Sequence, residues 1–63
     1  MAEDNKFLTV YEIQNILGIG RGKAYKLVNE KDFPKVIIGD TIRVPYNEFN
    51  KYIKHHLYGK INL

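Results

Sequence analysis

Three glycines, Gly18, Gly20 and Gly22, fall within five residues, and each side of them carries an apolar helical stripe. Glycine loses more backbone freedom on folding than any other residue, so such a cluster marks a sharp corner or a place of close approach. Before it, Val10, Ile13, Ile16 and Leu17 recur at i, i+3, i+6 and i+7, one side of a helix. Thr9 and Glu12 in "TVYE" predict a capping box, the hydroxyl accepting from the Glu12 amide while the carboxylate reaches back. Gly18 stands where a helix closes on a left-handed residue. The first helix is therefore expected over about Val10 to Leu17.

The second must begin almost at once. Ala24, Leu27 and Val28 form its apolar stripe, which predicts a helix from Arg21 to about Glu30 with Gly20 as N-cap. Pro34 ends it by biasing Phe33 away from helical dihedrals. Two short helices joined by three or four glycine-containing residues make a helix-turn-helix, with Gly18 and Gly20 as its corner and Ile19 pinned into the core. A phosphate-cradling loop is rejected: the spacing is G-x-G-x-G after a helix, not G-x-G-x-x-G after a strand or G-x-x-x-x-G-K-[ST].

After Pro34, "KVIIGDTIRV" predicts a β-hairpin around Gly39-Asp40. A two-residue turn would pair Ile38 with Thr41 and mix apolar with polar side chains on both faces. A three-residue loop through Thr41 pairs Ile38 with Ile42 and Val36 with Val44, leaving Lys35, Ile37 and Arg43 on the other face. That second register is the expected one, although turn chemistry favours the first. Phe49, Tyr52, Ile53, His56 and Leu57 then continue a closing helix over about Pro45 to Leu57, with the tail "YGKINL" loose. The architecture is α+β, a small winged helix-turn-helix: helix-turn-helix, two-stranded hairpin wing, C-terminal helix. The 63 residues read as a single domain with an ordered core of about 7 to 57.

Charge placement narrows the partner. The net charge is +3, yet residues 1 to 19 sum to −2, with Lys6 against Glu3, Asp4 and Glu12. Residues 20 to 43 hold six lysines and arginines against three acids, and residues 44 to 63 hold three lysines against Glu48. A basic surplus that begins at the glycines suits either a polyanionic partner or a solvated face. The acidic, polar start "MAEDNKF" has no apolar run behind it, and no segment approaches a membrane span; a cytoplasmic protein is expected, with no membrane partner. With no Cys and no Ser, and scattered carboxylates, nothing pairs a nucleophile with an oriented base, so no enzyme is expected. His55 and His56 project about 100° apart on a helix without further ligands, so no metal and no cofactor is expected either.

"LTVYEIQNILGIGRGKAYKLV" followed by "FPKVIIGDTIRVPYNEFNKYI" resembles the excisionase-type helix-turn-helix family, relatives of the MerR DNA-binding domain. The pattern is L-T-x-x-E-x-x-x-x-L-G-x-S-x-x-x-x-Y, then P-x-x-x-I-G, then R-I/V-P and a closing helix, covering about Leu8 to Ile53. The resemblance implies that the second helix enters the major groove and the hairpin contacts flanking backbone or minor groove. It also implies a recombination directionality factor that turns a tyrosine-recombinase integrase toward excision. Two positions depart from the pattern: Gly20 replaces the usual Ser, and Asp40 occupies a wing tip where relatives often carry Arg or Lys.

The DNA-binding candidates follow. Lys26 and Asn29 lie on the outward stripe, where lysine suits guanine and asparagine suits adenine. Tyr25 at its edge suits sugar or phosphate, with a half-buried core aromatic as the alternative. Arg21 and Lys23 flank the helix start, where cations are unfavourable to the helix itself but free amides already favour a phosphate. Gly22 in the first turn allows close approach of the DNA backbone. On the hairpin, Arg43, Lys35 and Thr41 complete the set; Arg43 alternatively pairs with Asp32 or Glu30. The expected partners are double-stranded DNA, an integrase, and further copies of the chain bound cooperatively. A MerR-like promoter regulator is the alternative within DNA binding, and a protein-interaction module the alternative outside it.

Overall fold

The computed structural model describes residues 6–63, so Glu3, Asp4 and the rest of the acidic start lie outside the described residues. The order is β1 (Phe7–Leu8), α1 (Val10–Leu17), α2 (Arg21–Val28), β2 (Val36–Ile38), β3 (Thr41–Pro45) and α3 (Tyr46–His55). This is the expected α+β winged helix-turn-helix, with one strand more than expected.

α1 starts and stops as its sequence dictates. Thr9 Oγ1 accepts from the Glu12 amide at 3.0 Å, and Glu12 Oε1 accepts from the Thr9 amide at 2.9 Å. Hydrogen bonding from the Thr9 backbone holds the Glu12 carboxyl below the ordinary glutamate value, partly opposed by desolvation and helped by the nearby Lys6 charge. Gly18 closes the helix at φ +65°, and the Ile19 amide reaches back to the Gln14 carbonyl at 3.1 Å, the six-to-one bond of a Schellman ending. Ile19 packs against the core as expected. Ile16 does not: it is exposed, because position i+6 falls well off the centre of the stripe defined by Val10, Ile13 and Leu17.

The core gathers Leu8, Val10, Ile13, Ala24, Leu27, Val28, Phe33, Val44 and Phe49. α2 contributes its whole predicted stripe, and ends at Val28 with Asn29 as its cap rather than running to Glu30. Phe33 sits edge-on to Phe49 (6.3 Å between ring centres) and to Tyr52 (4.9 Å), tying the chain after α2 to α3. Burial and the neighbouring Asp32 and Glu30 charges push the Tyr52 hydroxyl pKa up.

The sheet corrects two expectations. Its order is β1-β3-β2, because Phe7 pairs with Pro45 and Leu8 with Val44, and the Tyr46 amide donates to the Lys6 carbonyl at 2.9 Å. A two-residue strand is too short to show a period in sequence. The hairpin takes the register that was not expected: Val36 pairs with Arg43, Ile37 with Ile42 and Ile38 with Thr41 around a two-residue Gly39-Asp40 turn. Gly39 has φ +64° at the first central position, as in the II′ turns that match strand twist. The expected register assumed a buried face, but all three residues of β2 are exposed, so burial exerts no hold and turn chemistry decides.

α3 is shorter than expected. Pro45 remains extended at ψ 127°, in β3, and acts as N-cap, so the helix begins at Tyr46. It ends at His55, with His56 Nδ1–H donating to the Tyr52 carbonyl at 2.9 Å, and Leu57 is exposed instead of closing the stripe. Nor is the tail wholly loose, since Ile61 packs partly buried against the core.

Candidate nucleic-acid interface

α2 presents its three buried residues inward and everything else outward: Arg21, Gly22, Lys23, Tyr25, Lys26 and, at its cap, Asn29 are all exposed. Gly20 caps the helix without a side-chain bond, leaving the first-turn amides without a side-chain partner. A Cβ built on Gly22 meets nothing within 4 Å, so the protein's own packing places no demand for glycine there.

The wing stands beside this helix. Tyr25 lines one cleft of about 320 Å³ together with Thr41 and Arg43 of β3, Asp40 at the turn, and Thr9 and Tyr11 at the start of α1. A contiguous cleft is walled by Tyr11, Gln14, Arg21 and Tyr25. The Arg21 guanidinium lies 6.0 Å from the Tyr25 ring centre, at the outer reach of a cation–π contact. Arg43 Nη1 donates to the Ile42 carbonyl at 2.9 Å, which folds the side chain along its own strand. Among the described residues Arg43 has no ion pair with Asp32 or Glu30, and Arg21, Lys23 and Lys26 have none at all; the pairs present are Lys6–Glu12 and Lys51–Glu48.

Folding thus gathers Arg21, Tyr25, Thr41 and Arg43 around two adjoining clefts and leaves Gly22, Lys26 and Asn29 exposed on the outward side of α2, lining neither. Lys35 leaves the group. It precedes β2, sits on the opposite side of the strand from Val36 and its partner Arg43, and donates to the Glu30 carbonyl at 3.0 Å. The expected sharing of a face by Lys35 and Arg43 fails with the register that implied it. Tyr11, not among the sequence candidates, lines both clefts. Its signal was an aromatic side chain two residues after the helix cap but off the apolar stripe, and it is 68% exposed. Among the described residues no group of His, Asp and Glu is arranged to hold a metal ion, and no helix is long and apolar enough to cross a membrane.

Searches of curated proteins and of solved structures returned no match to the chain. The family profile described as "Helix-turn-helix domain" does match, over residues 7–56, from β1 through the end of α3. That family includes excisionase-like DNA-binding proteins and is typically non-enzymatic, and its domain implies DNA binding. With the two helices, the glycine corner and the flanking strands all inside the matched span, the chain belongs to the helix-turn-helix domain family.

Proposed function

We propose that this protein is a sequence-specific DNA-binding accessory protein of the excisionase type, a cytoplasmic recombination directionality factor that binds attachment-site DNA and directs an integrase toward excision. The observation that carries the DNA part is the exposed side of α2. Arg21, Lys23 and Lys26 stand there without ion pairs among the described residues, around a glycine that the fold does not require. Arg21 and Lys23 lie in the first turn beside amides that no side chain caps, a placement mildly unfavourable for the isolated helix and favourable for a phosphate.

In this reading α2 lies in the major groove, where Lys26 reaches guanine O6 and N7 and Asn29 reaches adenine N6 and N7. Tyr25 and Arg21 hold one sugar-phosphate strand against Thr41 and Arg43 of the wing, and Gly22 lets the backbone come close. Asp40 at the wing tip repels phosphate, so the wing engages through its side. A single module covers about 600–1,000 Å² and makes about four to six phosphate contacts, for a salt slope near −4 to −5. Such a contact is weak alone. Side-by-side copies on repeated sites, or an integrase on the same DNA, supply the remaining affinity, and several copies bend the segment. The single domain covers the whole chain.

A gel shift at two salt concentrations tests this against attachment-site, promoter and random duplexes. Salt-sensitive laddering on attachment-site DNA is expected. A single discrete band on promoter DNA alone would replace the recombination role with that of a MerR-like regulator. The absence of any shift would leave a protein-interaction module.

A further inference from the structure

α2 has a second flank. Two positions along a helix turn a side chain by about 200°, so Lys23 and Tyr25 project about 160° apart, Tyr25 toward the wing and Lys23 away from it. On that far side Lys23 lines a cleft of about 330 Å³ with Lys60, Ile61, Asn62 and Leu63. The chain returns there by a sharp reversal after α3. Tyr58 adopts φ +66°, and the Gly59 amide donates to the His56 carbonyl at 2.9 Å. Ile61 then anchors the tail on the core.

We infer that residues 60–63 form a second flank of the DNA interface, in which the Lys60 ammonium contacts phosphate on the side of α2 away from the wing. The inference rests on the proposed DNA reading and extends it to a segment outside the family-matched span, which stops at residue 56. Two observations carry it. Ile61 packs against the core and so keeps the neighbouring Lys60 on the cleft that Lys23 also lines, and no acidic side chain lines that cleft. Two cationic side chains on one cleft give it a positive field, which a polyanion complements. The Asn62 amide in the same cleft offers a further donor to a phosphate oxygen. The interface is then a recognition helix gripped from both sides, by the β3 wing and by the folded-back tail.

Fluorescence anisotropy on a random-sequence duplex, read as affinity against salt, tests this without knowledge of the target site. Lys60→Gln is expected to weaken binding by about three- to tenfold and to flatten the salt slope by about 0.9, the signature of one lost phosphate. Lys60→Arg is expected to keep both. Ile61→Ser, which keeps the charge but frees the tail, is expected to reproduce most of the loss, with thermal melting confirming the fold; Lys60→Gln stands as the test by itself if that variant melts early. If Lys60→Gln stays within about twofold of the parent at an unchanged slope while Arg43→Gln weakens, the tail is no part of the interface and the helix-and-wing reading stands. If the parent protein ignores duplex at every salt concentration, the DNA reading falls and takes this inference with it.

Discussion

The Arg21 guanidinium lies 6.0 Å from the centre of the Tyr25 ring, one helical turn further on. The contact is exposed and at the edge of cation–π range, worth about 0.5 kcal/mol, so it holds Arg21 toward the wing rather than holding the fold together. Tyr25 in turn shares a cleft with Thr41 and Arg43, which places it on the side of α2 that faces the wing. Arg21→Gln is therefore expected to flatten the salt dependence of duplex binding by about 0.9, while Tyr25→Ala weakens affinity on every sequence. Melting temperatures of both should stay close to the parent's. A variant that melts early but binds normally when folded would assign these residues to stability instead.

Gly22 separates stability from function. With open space around its missing Cβ, Gly22→Ala is expected to stabilise the protein by about 0.5–1 kcal/mol in denaturant titration. The same methyl group would stand on the exposed side of α2 that is proposed to meet DNA, so duplex affinity should fall. Unchanged affinity in the stabilised variant would remove close approach as the reason for glycine.

Asp40 carries the opposite expectation. Its carboxylate stands at the hairpin turn beside the Thr41–Arg43 wall. Asp40→Lys should tighten duplex binding and steepen the salt slope by about 0.9, since a repelled phosphate becomes a contacted one. An unaltered slope would place the wing tip away from DNA.

The aromatic cluster sets the stability of the domain. Phe49 is 2% exposed and meets Phe33 edge-on, and Phe33 meets Tyr52 in turn. Phe49→Ala is expected to cost about 3–5 kcal/mol, most of what a domain this small possesses. Circular dichroism at room temperature should show a largely unfolded chain, and a cooperative native melt would contradict the central place given to this ring.

The α1 cap predicts a pH dependence. The Glu12 carboxyl titrates below its ordinary value of 4.5 because it accepts from the Thr9 amide, so the unfolded chain takes up its proton first as pH falls. Its contribution is complete above that ordinary value and is lost as pH drops through the lower folded value. The advantage of the parent over Glu12→Gln in denaturant titrations should shrink from pH 4.5 downward. Thr9→Ala should cost about 1 kcal/mol at neutral pH, and a difference from Glu12→Gln that persists in acid would argue against the charged cap.

What the sequence by itself determined was the limits of α1, the start of α2 and the side of α2 that is buried. Thr9, Glu12 and Gly18 delimit α1, Gly20 opens α2, and Ala24, Leu27 and Val28 choose the side of α2 that is buried. Each of those choices depends on residues within a turn or two of one another, so a linear reading finds them. Tertiary structure decided the rest. β1 exists only because Lys6 to Leu8 finds β3 about forty positions away, and such a pairing leaves no local period to read. The wing register turned on whether β2 had a buried face, a property of what packs above it. The surroundings of Lys35, Tyr11 and Lys60 were set the same way: a side chain's neighbours across the chain are fixed by packing, which sequence spacing does not record.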